Sequence, residues 1–302
     1  MDGILPLWKP RGLTSHDCVA RLRRLYGTKK VGHTGTLDPE VEGVLPICIG
    51  QATKLVPYLT ETKKTYIAEV TLGAATETED SHGAIIESVP VNQPVGIEKI
   101  NSVLTEFHGE VKQTPPMYSA VKVQGRKLYE YARQGLTIER PERTIRIFRI
   151  ELLSNEEAVK NGTQQFQFKV ECSKGTYIRT LCTDIGSALG YPAHMSDLVR
   201  TQTGSFTREN SYTLEDVEQA RALNTHLSLL LPLQAGVEHL DVLYVEENIA
   251  AKIYHGQKLK IPSEAPSGDS FRVQLGDKLL AIYQYHPTEH GMIKPLKVFH
   301  YD

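Results

Sequence analysis

A tight loop set directly before a buried strand is the feature that most limits what this chain can fold into. Gly32-His33-Thr34-Gly35-Thr36-Leu37-Asp38-Pro39 is too rich in Gly, Thr and Pro to be a helix or a central strand, so it reads as a constrained loop. Gly43 then opens the apolar run Val44-Leu45-Pro46-Ile47-Cys48-Ile49, which reads as a buried strand. A carboxylate and an imidazole are therefore expected on a short loop against a core strand, a common placement for catalytic groups. The plainer reading is that Asp38, next to a proline in a Thr-rich turn, is a turn-former that bonds nearby N–H groups. The loop alone favours that plainer reading.

Patterning along the chain predicts alternating helices and strands. Ile4–Trp8 reads as a short strand, and Ser15 is a good N-cap for a helix over His16–Tyr26, with Val19, Leu22 and Leu25 at helical spacing. A short helix is expected over Ala52–Thr60 despite Pro57. Thr65–Leu72 alternates as a strand, with Tyr66, Ala68, Val70 and Leu72 on one face. Thr76–Gly83 reads as a polar, acidic loop. A helix follows over Val95–Phe107, then a strand over Ser119–Val123 and a short helix over Lys127–Gln134. Thr144–Leu153 and Gln164–Cys172 are long alternating strands, with Asn161-Gly162 as the turn before the second. Thr176–Leu189 is helical, His194–Phe206 mostly strand, and Leu214–Ala222 a polar helix capped by Thr213. From about Leu240 short strands alternate with Gly, Pro and Ser turns. Phe271–Leu275 and Leu279–Tyr283 look like a hairpin pair, so this stretch reads as a small all-β unit.

Composition sets bounds. At 302 residues, 40% apolar and 23% charged, the chain is an ordinary soluble type with room for a second, smaller domain. No apolar run approaches the ~20 residues of a membrane span, and the N-terminus carries no apolar export signal. Cys18, Cys48, Cys172 and Cys182 sit apart in apolar contexts without a CxxC pair, so neither a zinc site nor a redox motif is indicated. Reduced, buried thiols in a cytoplasmic protein are expected.

The net charge of −2 argues at first against a nucleic-acid partner. Its distribution argues the other way. Lys112–Arg149 holds nine Lys or Arg against three acids, whereas Glu209–Glu247 holds eight acids and one base, Arg221. Binding depends on the local field over one face, and a basic middle with an acidic flank suits an RNA groove with a solvated back. A solvated charged surface is the plainer alternative.

Several motifs, in order and without large insertions, add a resemblance. The run GHTGTLDPEVEGVLPICIGQATK resembles the signature of the TruB-type tRNA pseudouridine synthases. Lys64-Thr65-Tyr66, Pro116-Met117-Tyr118-Ser119-Ala120 with Lys122 and Gly125, and Ser173-Lys174-Gly175-Thr176-Tyr177-Ile178-Arg179 are similar to further segments of that family. The resemblance spans Gly3 to about Ser205. It implies an α+β fold, with a mixed, largely antiparallel central sheet flanked by helices and a small C-terminal PUA-like β domain. It also implies a catalytic domain over 1–237, with an RNA-gripping insertion at about 112–143, and the β domain over 238–302.

The resemblance implies a reaction and roles. Uridine becomes pseudouridine when the bond from sugar C1′ to base N1 is broken and remade to C5. Nothing is added or lost, so no cofactor and no metal is expected. Asp38 matches the family's nucleophile, Arg179 the arginine that pairs with it, and Tyr66 an active-site tyrosine that stacks on the base and takes part in proton abstraction. Tyr177 and Leu198 match positions that wall the uracil pocket, although plain core packing suits Leu198 nearly as well. His33 matches the residue that fills the space left when the target base is flipped out of the tRNA loop. Lys9 matches a lysine near the catalytic loop. Lys122, Arg126 and Lys127 match positions that grip phosphates. The implied substrate is the uridine at position 55 in the tRNA TΨC loop, acted on by a monomer. A tRNA-folding chaperone that grips and opens the loop without catalysis is the alternative. A glycoside hydrolase ranks far behind, because that chemistry wants a carboxylate pair and Glu40 and Glu42 cannot be assigned as one.

Overall fold

The structure, a computed structural model, describes residues 1–155 and 157–301. The chain divides into two compact units. One comprises Met1–Pro39, Val44–Thr62 and the chain from Gly204 onward, and the other comprises Glu40–Gly43 and Lys63–Thr203.

The second unit is built on strands Ala193–Thr203, Lys64–Leu72, Gln164–Cys172, Arg143–Asn155 and Gly109–Gln113, in that spatial order and antiparallel throughout. Glu42 and Gly43 add a parallel pairing to Val199 and Arg200, which makes the sheet mixed. The period-2 pattern explains its faces. Gln164, Phe166, Phe168, Val170 and Cys172 are buried, while the residues between them are partly or fully exposed. Helix Ile178–Leu189 packs on strands Ala193–Thr203 and Lys64–Leu72, and helix Ile97–Glu106 on strand Arg143–Asn155. The expected turn is tight. Asn161 and Gly162 both take positive φ, 53° and 76°, and Lys160 and Thr163 exchange two 2.9 Å backbone bonds. That geometry favours Asn-Gly in a two-residue turn.

In the first unit, strands Gly3–Lys9, Val31–His33 and the Val44–Ile49 part of Glu42–Ile49 form a sheet, with helix Ser15–Leu25 beside Val31–His33. A second sheet runs in the order Val242–Tyr244, Ser270–Leu275, Lys278–Tyr285, Met292–Val298, Leu259–Lys260. The expected hairpin is there, Ser270–Leu275 against Lys278–Tyr285. Strand Lys278–Tyr285 feeds two cores. Leu279 and Ile282 join Ile4, Val44, Cys48, Leu55 and Phe206, whereas Leu280, Ala281 and Tyr283 join Leu243, Ile253 and Phe271.

The expected α+β class, with a largely antiparallel main sheet and a C-terminal β sheet, is the architecture observed. Four local expectations change. Thr14, not Ser15, caps the first helix, because Thr14 and Asp17 close a capping box. Over Ala52–Thr60 the chain makes a 3₁₀ turn, Gly50–Leu55, and then α-helix Val56–Glu61, with Pro57 in the first turn where its missing N–H is not needed. The strand expected over Ser119–Val123 shrinks to Lys122–Val123, because the carbonyls before it serve other donors. A helix, Glu247–Tyr254, lies within the turn-rich C-terminal stretch and buries Ala250 and Ile253.

Gly43 is irreplaceable by geometry. Its φ is +134°, and a Cβ there would lie 2.2 Å from the Arg200 carbonyl oxygen and 2.7 Å from its nitrogen. Gly43→Ala is therefore expected to destabilise the protein by about 2 kcal/mol or more, read as a lower urea midpoint with an unchanged m value.

Candidate active site

The loop that carries Asp38 is pinned on both sides of that residue. Leu37, itself buried, donates its N–H to Ser15 Oγ at 2.9 Å, and Ser15 Oγ donates back to the Leu37 carbonyl at 3.2 Å. The Pro39 carbonyl accepts from the Gly12 N–H and from Lys9 Nζ, both at 3.0 Å. Lys9 is fully buried, and its ammonium also donates to the carbonyls of Pro10 and Leu13 at 2.8 and 2.5 Å. Three N–H donors thus meet three backbone oxygens, which is what an ammonium out of water requires. Asp38, half-buried, is held between two fixed neighbours. His33 ends strand Val31–His33. Its Nδ1 accepts from the Gly35 N–H at 3.3 Å, and the His16 ring meets it edge-on at 5.8 Å.

The remaining expected residues lie in the second unit. Tyr66 is buried on strand Lys64–Leu72, directly opposite Arg200 on one neighbouring strand and Val170 on the other. Leu198 faces Ala68, so it is the diagonal neighbour of Tyr66 on the same face. Arg179 opens helix Ile178–Leu189 and is buried. Its Nη1 donates to the Thr78 carbonyl at 3.0 Å and its Nη2 to the Tyr118 carbonyl at 2.9 Å, with Asp80 Oδ2 3.7 Å from Nη1. Tyr177, the N-cap residue of that helix, is clamped by Gln113. The Tyr177 N–H donates to Gln113 Oε1 at 2.8 Å, and Gln113 Nε2 donates to the Tyr177 carbonyl at 2.9 Å. The Arg143 guanidinium lies 5.2 Å from the centre of the Tyr177 ring.

Lys122, Arg126 and Lys127 sit together on the small hairpin Lys122–Val123/Arg126–Lys127, with Lys122 directly opposite Lys127. Helix Leu128–Ala132 follows and anchors the hairpin through buried Leu128 and Tyr131. Arg126 lies over the Tyr131 ring at 4.5 Å, and Lys127 and Arg133 lie over the Tyr129 ring at 5.3 and 5.2 Å. Cations interleaved with aromatic rings, with exposed Lys122 beside them, suit a phosphate backbone.

Two family models cover most of the chain. That of the TruB family pseudouridylate synthase N-terminal domain matches residues 23–178, and that of the tRNA pseudouridylate synthase B C-terminal domain matches 179–240. The chain belongs to the TruB family of pseudouridylate synthases. It is 55% identical over 300 residues to a tRNA pseudouridine synthase B of Oceanobacillus iheyensis, covering 99% of this chain and 98% of that one. It is 50% identical over 301 residues to one of Geobacillus thermodenitrificans, covering 99% and 100%. Among solved structures, a crystal structure of a Cbf5-Nop10-Gar1 complex matches with a TM-score of 0.77 and 31% identity, covering 99% of this chain and 85% of that one.

In this TruB chain the structure adds residues that sequence reasoning passed over. Asp80 was only part of a polar loop, yet its Oδ1 accepts from Thr78 Oγ1 and the His82 N–H while Oδ2 faces Arg179. Glu79 takes a positive φ of 62° and accepts from Thr180 Oγ1 at 2.6 Å. Burial pushes its carboxyl up, against the pull of Thr180 and Arg179. Asp184, one helical turn beyond Thr180, is pushed up to about 6, first by burial and then by the charge of Glu79. Arg200 is 2% exposed and directly opposite Tyr66. Acidic residues in a loop and one arginine on an alternating strand give no pattern signal, because only the folded chain brings them to Arg179 and Tyr66. The four cysteines are free and buried, and burial raises the thiols of Cys48 and Cys172 to about 12.

Two outcomes follow for stability. Lys9→Met leaves the Pro10 and Leu13 carbonyls without this donor and is expected to cost about 2–4 kcal/mol. Faster amide exchange at Leu37 would accompany that loss; unchanged exchange there would contradict the pinning of the loop. Asp184 holds its proton in the folded chain up to about pH 6, while the unfolded chain releases it near pH ~3.9. The unfolded state then binds fewer protons, so this contribution is full below about pH 4 and is lost as pH rises through 6. Asp184→Asn should match wild type in urea unfolding at pH 4 and exceed it by about 1–2 kcal/mol at pH 8.

Proposed function

We propose that this chain converts uridine to pseudouridine at position 55 in the TΨC loop of tRNA, with Asp38 as the nucleophile. As a member of the TruB family of pseudouridylate synthases the protein is an isomerase, and its relatives at half identity over the full chain bear the name tRNA pseudouridine synthase B. The observation that carries the residue assignment is Asp38 in the family motif, on a loop whose flanking residues are fixed by Ser15, Gly12 and Lys9. A nucleophile must be held in one geometry to attack and to release the sugar or base while the base rotates.

The other roles follow the chemistry. Arg179 supplies the positive charge that a reaction at a carboxylate needs. Tyr66 stacks on the uracil and takes part in removal of the C5 proton. Tyr177 and Leu198 wall the uracil. His33 stacks in place of the flipped base. Lys122, Arg126 and Lys127 grip phosphates, which gives salt-sensitive affinity rather than sequence choice. Lys9 stands near the catalytic loop and holds it through the Pro10, Leu13 and Pro39 carbonyls. The reaction adds and removes no atoms, so the reading requires no cofactor and no metal. It further takes the protein as a cytoplasmic monomer, with 1–237 as the catalytic domain and 238–302 as a small PUA-like domain. The basic, aromatic-lined hairpin also favours a second activity, gripping and opening the tRNA loop independently of catalysis.

Tritium release from tRNA labelled at uridine C5 tests the assignment with wild type and Asp38→Asn side by side. Release by wild type and none by the variant, with tRNA binding kept, is the expected result. Equal release by both would remove Asp38 as nucleophile. Binding without release by either would leave the RNA-opening activity as the function.

A further inference from the structure

The route from the basic hairpin to Arg179 is unusually short. Lys122, at the start of the hairpin, is four residues from Tyr118, whose carbonyl accepts from Arg179 Nη2 at 2.9 Å. Two carbonyls between them are also bonded. The Ser119 carbonyl accepts from the Tyr129 N–H at 3.1 Å and the Val121 carbonyl from the Leu128 N–H at 2.8 Å, so this strip is tied to the helix that carries the hairpin's aromatic residues. Its upstream end is fixed as well, since Arg140 Nη1 donates to the Pro115 carbonyl at 3.0 Å. A displacement of the hairpin is therefore passed along a strip bonded at Ser119 and Val121 to the Tyr118 carbonyl, which accepts from Arg179.

One polar group in this strip stands apart. Ser119 is 5% exposed, and among the described residues its hydroxyl meets no hydrogen-bond partner. Buried hydroxyls are nearly always bonded, because leaving one unpaired costs free energy. The orphan lies between the carbonyl that holds Arg179 and the helix that carries the hairpin. We propose that Ser119 is a positioning residue whose hydroxyl finds its partner only when RNA engages the hairpin, locking the Tyr118–Ser119 strip and with it Arg179 in the reactive arrangement. Phosphate contact at the hairpin then raises the rate of conversion and not affinity alone. The inference rests on the reading of the chain as an isomerase that grips RNA at Lys122, Arg126 and Lys127.

The test uses single-turnover conversion of tRNA at saturating enzyme, together with tRNA affinity and thermal unfolding, for Ser119→Ala and Ser119→Cys. Cys fills the space of Ser with a much weaker hydrogen-bonding group. The expected result is a saturating rate lowered about fivefold or more in both variants, with tRNA affinity within about twofold of wild type. The melting temperature of the free protein should be unchanged or raised, because the lost hydroxyl was unpaired. A wild-type saturating rate in both variants would overturn the proposal. So would a rate loss that tracks a lowered melting temperature, since the hydroxyl would then serve the free fold. Wild-type protein that binds tRNA but converts none of it would instead overturn the isomerase reading, and this inference with it.

Discussion

A buried ammonium on three backbone carbonyls is the interaction on which the candidate site depends. Lys9 joins the end of strand Gly3–Lys9 to the turn through Pro10 and Leu13 and to Pro39, so one side chain fixes the strand, the entry to the first helix and the loop that presents Asp38. A charge taken from water costs several kcal/mol unless its donors are met. A loop that drifted would take the Pro39 carbonyl away from this buried ammonium. Ser15 adds a second constraint at Leu37 because Thr14 has relieved it of capping.

Arg179 works by a comparable principle in the second unit. Its guanidinium is oriented by carbonyls from two separate segments, Thr78 and Tyr118, while Asp80 supplies the opposing charge. The planar fork of an arginine holds its donors in a rigid plane, whereas the donors of a lysine ammonium rotate. The segment that ends at Tyr118 leads straight into the basic hairpin, so the residue proposed to balance charge in the reaction is tied to the surface proposed to meet RNA. Around it, burial raises both Glu79 and Asp184, with Asp80 adding to the first and Glu79 to the second, so the stability that protonated Asp184 lends is lost as pH rises through about 6.

Much of this was legible in order and spacing. Strands Lys64–Leu72, Arg143–Asn155 and Gln164–Cys172 carry apolar residues at every second position, helices packing on the first two and the third burying every second residue, and such alternation survives in a single sequence. Asn161-Gly162 announced its turn because few residues tolerate two successive positive φ angles. Helix Glu247–Tyr254 was hidden by its turn-rich surroundings, and Ser119–Val121 by its short apolar look. In that strip the carbonyls that a strand ladder needs are taken by Arg179 and by the helix that follows.

The sequence by itself determined the class of fold, the family, the loop with Asp38 and the clustering of positive charge between Lys112 and Arg149. These are carried by local composition, periodicity and contiguous motifs, which need no knowledge of distant neighbours. Only the tertiary structure decided that Lys9 is a buried clamp and not a surface cation, that Ser15 holds Leu37, that Asp80 and Tyr118 orient Arg179, and that the Ser119 hydroxyl is buried without a partner among the described residues. Each of these depends on which backbone carbonyl or carboxylate lies within about 3–4 Å of a side chain. That proximity is set by packing between segments up to about a hundred residues apart, and no local pattern encodes it.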